Sequence, residues 1–233
     1  MLKNNKIVVV GGSSGVGFAV ACKAIDAGAE VVIASRSADR LESAVQQLNG
    51  RVCAELVDAT NEQSIADLFH RVGTFDHLVC TLKLTIPSKS FLESETPLVG
   101  KAFDTKFWGQ YRLAKHGAPC IRTYGSITFT SGIASRRAYL GYSSVSAMNA
   151  AVEALTKSAA VELAPIRVNC VCPGFVDIDP PSSARSDHVR TLVPNLPLGR
   201  LAGASEIADT YMYLFTAQYV TGTVAVVDGG AAC

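Results

Sequence analysis

The sequence predicts a single doubly wound α/β domain over residues 1–233, a parallel sheet with helices on both faces, and three observations carry that expectation. Short β-branched runs alternate with longer helical stretches along the whole chain, the order that strands joined by crossover helices produce. A glycine-rich turn, Gly11 to Gly17, stands where the first apolar run gives way to the first helical stretch. The composition, 48% hydrophobic against 18% charged, suits one large buried core.

Ile7 to Val10 is a continuous β-branched run, as a strand covered on both faces should be. Phe18 to Ala27 reads as a helix stopped by Gly28, and Glu30 to Ala34 as a second strand, which closes one βαβ unit. A polar-faced helix follows over 38–48, then a strand at Val52–Val57, a helix at Glu62–Val72 and a strand at His77–Thr81. Residues 83–100, with Pro87, Pro97 and little periodicity, read as loop, and Lys101 to Ala118 as one long helix. Ser126–Thr130 is the fifth strand, Ser144–Leu163 another long helix, and Ile166–Val171 the sixth strand, running into Pro173-Gly174. From Asp177 to Ala204 the chain is rich in Pro, Ser and Arg, the character of a mobile, substrate-covering segment (177–204) over a cleft. A helix at Glu206–Phe215 and a strand at Thr223–Val227 lead to Asp228-Gly229-Gly230.

A formal net charge of +1, with acids and bases interspersed, leaves no electrostatic footprint for nucleic acid or an anionic membrane. The expected partner is therefore a small neutral or amphipathic molecule. The opening residues hold too short an apolar stretch for a signal peptide, and no run is long enough to span a bilayer, so a cytoplasmic protein is expected. The seven cysteines (Cys22, Cys53, Cys80, Cys120, Cys170, Cys172, Cys233) are odd in number and form no CxxC pair. They read as reduced thiols, with no metal site.

The turn Gly11-Gly12-Ser13-Ser14-Gly15-Val16-Gly17 lies between strand and helix. Glycines let the backbone bend sharply and approach a phosphate, while the N–H groups and dipole of the helix N-terminus favour an anionic pyrophosphate. A nicotinamide dinucleotide is the expected ligand; the alternative is a turn that holds nothing. At the end of the second strand, where an acid would accept hydrogen bonds from the adenosine ribose, the chain has Ser35-Arg36. An arginine there pairs with a 2′-phosphate that a carboxylate would repel, which favours NADP(H) over NAD(H). The alternative for Arg36 is an ordinary exposed charge. Asp58, after the third strand, is read two ways, as an acceptor for the adenine amino group or as an N-cap for the helix opening at Asn61.

With these residues in place, the chain resembles the short-chain dehydrogenase/reductase family over nearly its whole length. The blocks that carry the likeness come in order: the GxxxGxG turn at 11–17, Asp58, Gly125-Ser126, Ile166-Arg167-Val168-Asn169 leading to Pro173-Gly174, and Val226-Val227-Asp228-Gly229-Gly230. The resemblance implies a seven-stranded Rossmann-type sheet and an NADP(H) site over Gly11, Ser13, Ser14, Gly15, Val16, Gly17, Ser35, Arg36, Asp58, Ala59, Thr81, Pro173, Gly174 and Val176. It also implies a homodimer or homotetramer assembled through the two long helices, where the Ala-rich stretch Ala147 to Ala160 allows close contact.

Reductases of that family use an Asn, Ser, Tyr and Lys set, in which the lysine lowers the pKa of a tyrosine acid or base. The best match to YxxxK is Tyr142-Ser143-Ser144-Val145-Ser146, so the tyrosine is present and the lysine is replaced by Ser146. The usual serine falls on Gly132, with Ser131 one residue early, and the asparagine position, three before Gly109, is Lys106. The NNAG segment has become Cys80-Thr81-Leu82-Lys83, and the threonine of the PGxxxT-like stretch is Ile178. One hypothesis is a swap in which Lys106 restores the cation that Ser146 lacks, so that Tyr142, Lys106 and Ser131 form the catalytic set. Lys83 is a second candidate cation. The four histidines read as structural except His188, beside Asp187, which is kept as a substrate contact. The pair Arg136-Arg137 suits an anionic substrate or, in the plainer reading, a solvated turn.

Two functions follow. One is an NADP(H)-dependent oxidoreductase for a small carbonyl, alcohol or imine; the other is an NADP(H)-binding protein without redox turnover, such as a sensor, an assembly partner or a non-redox cyclase or isomerase.

Overall fold

The computed structural model describes residues 2–83, 86, 89–178 and 189–233. Seven parallel strands form one sheet in the order β3-β2-β1-β4-β5-β6-β9. In chain order the first half runs β1 (Lys6–Val10), α1 (Gly15–Asp26), β2 (Glu30–Ser35), α2 (Ala38–Gln47), β3 (Cys53–Leu56), α3 (Glu62–Val72) and β4 (Phe75–Cys80). The second half runs α4 (Thr96–Phe103), a π-helical turn (Asp104–Trp108), α5 (Gly109–Gly117), β5 (Ile121–Thr130), α6 (Ser143–Glu162), β6 (Arg167–Pro173), β7 (Val176–Asp177), β8 (Ala202–Gly203), α7 (Ala204–Thr216) and β9 (Val224–Val227). The sequence order jumps from β1 to β4 across the middle of the sheet, and the crevice at that reversal is where open α/β sheets take ligands.

Two cores hold the sheet. Ile7 and Val9 of β1 face α1, α2 and α7, packing with Val20, Ile33, Ile207 and Tyr211. Val8 and Val10 face the other way, with Ile65, Leu68, Leu113, Phe129 and Val152. A strand buried on both sides needs apolar residues at every position rather than at alternate ones, which is why β1 reads as an unbroken run. A third, smaller cluster of Ile133, Cys172, Leu196 and Ala231 seals the C-terminal end of β6.

Departures from the sequence expectations have local causes. The stretch before Lys101 already forms α4, because Pro97 occupies the first turn of that helix, where its missing N–H costs nothing. The single helix expected over 101–118 is divided by the π turn. β5 starts five residues earlier than Ser126, at Ile121, through an irregular register against Phe75 and His77. Its exposed opening residues Arg122, Thr123 and Tyr124 hide the strand from a hydrophobicity pattern. Within 177–204, residues 179–188 lie outside the described residues, His188 and Asp187 among them. Within the described part of that segment, Asp177 pairs with Gly203 beside the Val176–Ala202 pair, and Val189 and Leu196 are buried. No helix of the described residues is long and apolar enough to cross a membrane.

Two buried polar groups fix the end of the sheet opposite the crevice. His77 Nδ1 lies 2.8 Å from Ser126 Oγ, and its ring stacks on Phe215 at 4.9 Å. Burial, together with the Arg167 charge, pushes the imidazole down to about 4. The folded chain therefore keeps His77 neutral while the unfolded chain binds a proton below about pH 6.5. Stability present above pH 6.5 is expected to fall by up to about 3 kcal/mol as the pH drops to 4. Urea titrations at pH 7 and pH 4.5 check this, with His77→Asn showing a smaller difference between the two.

Candidate active site

The turn after β1 is closed by contacts that only glycine permits. Gly11 has φ +88°, and a Cβ there would stand 2.5 Å from the Thr81 carbonyl oxygen. A Cβ on Gly17 would stand 2.4 Å from both the Gly11 carbonyl oxygen and Thr81 Oγ1. Thr81 itself is tied to the end of β1, its N–H and its hydroxyl both donating to the Val10 carbonyl at 2.9 and 3.1 Å. Helix α1 begins inside the turn, at Gly15 rather than at the expected Phe18. Ser14 is its N-cap, yet the Ser14 side chain makes no capping bond. The first-turn N–H groups of Gly15, Val16 and Gly17 have no partner within the helix, which leaves donors and the positive end of the dipole facing the crevice. Ser13 is half-buried and Ser14 exposed. Ile178 leans over this mouth, 3.6 Å from where a Gly15 Cβ would lie. The arrangement can seat a pyrophosphate, and the glycine pattern fits that group.

At the β2 and β3 ends, Ser35, Arg36, Asp58 and Ala59 come together. Arg36 is exposed, while Ser35 Oγ accepts from the Ser37 N–H at 3.4 Å and so shapes the turn into α2. Asp58 Oδ1 accepts from the Thr60 N–H and hydroxyl at 2.9 and 2.7 Å. These bonds and the Arg36 charge hold its carboxyl below the usual range. The N-cap of α3 is Asn61, whose side chain accepts from the Ser64 N–H at 3.0 Å. The capping alternative for Asp58 is thereby corrected: a side chain that folds back on Thr60 closes the preceding turn and leaves the cap to Asn61. Ala59 is buried against Gly109, whose Cβ would stand 3.3 Å from the Ala59 Cβ.

At the β6 end, Pro173 pairs with Val227, and only glycine fits at 174, since a Cβ there would stand 2.6 Å from Asp228 Cα. Val176 is paired in β7 and packs on the α1 side of the sheet.

The polar centre of the crevice lies between the two central helices. The π turn carries Lys106, 5% exposed, and its Nζ donates to the Ser131 carbonyl at 3.2 Å. Gln110 anchors that turn to β5, donating to the carbonyls of Lys106 and Thr130 and accepting from the Thr130 N–H. Such π turns widen a helix locally and recur at functional sites. Ser131 donates its hydroxyl to Glu153 Oε1 at 3.0 Å, and Ser135 donates to the same oxygen. Glu153 Oε2 pairs with Arg136 at 2.7 Å. Of the three proposed catalytic residues, Lys106 thus reaches Ser131 at its main-chain carbonyl and not at its hydroxyl, which is directed to Glu153. Tyr142 is half-buried at the N-terminus of α6, its ring 6.0 Å from Tyr139. Lys83 is exposed.

The side chain of α6 that meets Gly132 is Asn149, not Ser146: a Cβ on Gly132 would stand 3.0 Å from Asn149 Nδ2. Ser146 lines a neighbouring cavity of about 560 Å³ with Phe91, Tyr139, Leu140, Gly141 and Ser143. Neither Asn149 nor Glu153 stands out in the sequence. Their spacing, i and i+4 on the same stripe as buried Met148 and Val152, is the one available signal. Arg137 donates to the Ala231 carbonyl at 2.9 Å, so both members of the arginine pair are engaged within the protein. Burial pushes the Cys170 thiol up to about 12, and Cys80 is raised by the same cause, so both are packing groups at neutral pH.

The family model described as Enoyl-(Acyl carrier protein) reductase matches residues 10–232. A short-chain dehydrogenase/reductase of Stachybotrys chlorohalonatus (strain IBT 40285) is 32% identical over 252 aligned residues, covering 99% of this chain and 98% of the relative. A solved small-chain dehydrogenase in complex with NADPH superposes with a TM-score of 0.85 at 36% identity, covering 98% of each chain. A reductase/Diels-Alderase from Malbranchea aurantiaca superposes with a TM-score of 0.90 at 25% identity, covering 99% of this chain and 97% of its own. The chain belongs to the short-chain dehydrogenase/reductase family of oxidoreductases.

Proposed function

We propose that the protein is an NADP(H)-dependent oxidoreductase acting on a small, neutral carbonyl, alcohol or imine with an altered catalytic set. The observation that carries this reading is the glycine turn, where Gly11 and Gly17 pack too closely on backbone and Thr81 to carry a side chain, with Arg36 near Asp58 at the ends of β2 and β3. The NADPH complex of the structural relative supports the same cofactor. Gly11, Ser13, Ser14, Gly15, Val16 and Gly17 would hold the pyrophosphate, Ser35 and Arg36 the 2′-phosphate, and Asp58 and Ala59 the adenine. Thr81, Pro173, Gly174 and Val176 would border the nicotinamide half. The bound cofactor supplies or takes the hydride. The same reading includes a homodimer or homotetramer joined through the two central helices, near exposed Trp108, Tyr111 and Val161.

The substrate class follows from the cavity beside Tyr142. Phe91, Tyr139 and Leu140 give it an apolar lining. Lys89 at its rim pairs with Glu95 at 2.7 Å, and just before its lining residues Arg136 pairs with Glu153 at 2.7 Å while Arg137 donates to a backbone carbonyl at 2.9 Å. A neutral substrate leaves these contacts intact. Lys106 is the sole buried lysine among the described residues, and in this reading it supplies the cation that Ser146 does not.

The Arg36→Leu variant tests the cofactor assignment: NADPH affinity is expected to fall about 10- to 100-fold with NADH affinity little changed. Equal NADPH binding by the variant would remove the phosphate role. The reading without redox turnover keeps one supporting observation, the Ser131 hydroxyl given to Glu153 beside a residue, Gly132, that has none. NADPH consumption with neutral ketones or imines, lost in Lys106→Met and Tyr142→Phe, decides for the enzyme. Binding without consumption decides for the other.

A further inference from the structure

Helix α5 buries an amide on an otherwise apolar inner face. Gln110 is 0% exposed, beside Gly109, Leu113 and Ala114, where a leucine would pack with no polar group to satisfy. Its Nε2 donates to the Lys106 carbonyl at 2.7 Å and to the Thr130 carbonyl at 3.2 Å, and its Oε1 accepts from the Thr130 N–H at 2.9 Å. The bonds to Thr130 replace a strand. β4 and β5 stay in register as far as Val79 with Thr128, and the Ser131 N–H turns the other way, to the Val171 carbonyl of β6 at 2.9 Å. The N–H and carbonyl of Thr130 thus face the side where β4 has ended, and the Gln110 amide gives them the acceptor and the donor that a neighbouring strand would supply.

Thr130 is a fixed point. Its hydroxyl donates to the Cys80 carbonyl at 2.6 Å and receives the Tyr211 hydroxyl at 2.6 Å, while its main chain is in register with Val171 of β6. The π turn, in which the Gly109 N–H reaches back to the Asp104 carbonyl, hangs from that point through Gln110. Lys106 stands in the middle of the turn, and its Nζ donates to the Ser131 carbonyl at 3.2 Å. These contacts close a ring that runs from the Lys106 main chain through Gln110, Thr130 and the Ser131 carbonyl to the Lys106 ammonium. A lysine side chain loses much rotamer freedom when it is held in one place, so the backbone that carries it and the acceptor that receives it need a common frame. We propose that Gln110 is a positioning residue, which holds the Lys106 ammonium at the end of β5 by tying the π turn to Thr130. This rests on the reading above in which Lys106 supplies the catalytic cation. A leucine at position 110 would be buried as well, but would leave the turn free to slide along β5.

The test compares the wild type with Gln110→Met, Lys106→Met and the double variant. Gln110→Met is expected to lower kcat for the NADPH-driven reduction of a neutral ketone or imine about 10- to 100-fold, with KM and NADPH affinity within about 2-fold, because misplacing a catalytic group by about 1 Å is enough for such a loss. Acting through Lys106, it should add nothing to the loss caused by Lys106→Met, so the double variant is expected to stay within about 2-fold of that single one. A second readout needs no cofactor: acetylation of Lys106 by acetic anhydride, followed by peptide mass spectrometry, is expected to run about 10-fold faster in Gln110→Met than in the wild type. An unchanged kcat overturns the proposal, as does unchanged labelling, and so do losses that add in the double variant, which would mark a general structural role. If Gln110→Met does not fold, Gln110→Asn takes its place, since it keeps the amide but draws it back by one methylene: a loss of kcat that disappears in the Lys106→Met background supports the proposal, and an unchanged kcat overturns it. A wild type that consumes no NADPH, or whose turnover survives Lys106→Met, overturns the reading of Lys106 as the catalytic cation and this inference with it. Turnover lost in Lys106→Met and kept in Gln110→Met overturns this inference alone.

Discussion

Gly17→Ala is expected to weaken NADPH binding by at least about 100-fold and to lower stability by about 1–3 kcal/mol. By propensity alone the change should help, since alanine in a helix is favoured over glycine by about 1 kcal/mol. Position 17 reverses that preference. The added methyl would lie 2.4 Å from the Gly11 carbonyl oxygen and from Thr81 Oγ1, and neither can rotate away. Gly11 is backbone in the turn itself, and Thr81 is fixed by two bonds to Val10. The helix must then move off the end of β1, carrying its first-turn N–H groups out of register with the phosphate. Gly100→Ala in α4 is the matched control, because a Cβ at Gly100 meets nothing within 4 Å. That variant is expected to be as stable as the wild type or more so, with unchanged affinity. Calorimetry with NADPH and thermal melts of both variants check the pair; a Gly17→Ala protein that binds like the wild type would refute the pyrophosphate assignment.

The glycine turn was legible in the sequence because its chemistry is local: a strand, a bend and a helix start lie within a dozen residues, and each has its own signature. The strands were legible for a related reason, since parallel strands covered on both faces must be apolar at consecutive positions. β1 and β2 show it plainly. What stayed hidden depends on contacts between distant segments. Tyr124, at φ 69° and exposed, lies within a strand whose first pairing is Phe75 with Ile121, and nothing nearby in sequence announces that pairing. The polar centre shows the same limit. A YxxxK-like spacing directs attention to Tyr142 and Ser146, but which residue of α6 reaches Gly132 depends on how the helix is rotated against β5. That rotation places Asn149 there and sets Glu153 one turn further on, where its carboxylate takes the Ser131 hydroxyl. In an alanine-rich helix, a polar residue that faces inward looks the same in sequence as one that faces water.

Arg167 shows the reverse case, a residue inside a family-like block whose work is structural. It opens β6 at the edge of the sheet opposite the crevice and is 7% exposed. Its guanidinium donates to the carbonyls of Leu214, Phe215 and Ala217 at 2.7, 3.0 and 3.2 Å, capping the C-terminus of α7. The last carbonyls of a helix lack partners of their own and carry the negative end of its dipole, so a buried cation there satisfies both needs. Arg167→Met would keep much of the stem's packing and leave these carbonyls without donors, at a cost of about 3 kcal/mol and a fall in Tm of about 6–12 °C. NADPH affinity should stay within about 2-fold, because the loss lies at the wrong end of the strands to reach the cofactor. A second consequence separates this account from a general loss of packing. The Arg167 charge helps hold the His77 pKa down, so removing it lets that pKa rise toward its ordinary value. The variant should be less stable at pH 7 yet lose less of its remaining stability between pH 6.5 and pH 4 than the wild type does. Urea titrations at the two ends of that range decide the matter: a parallel decline in both proteins would mean that the guanidinium and the imidazole do not interact, and a Tm within 2 °C of the wild type would show that α7 does not need its cap.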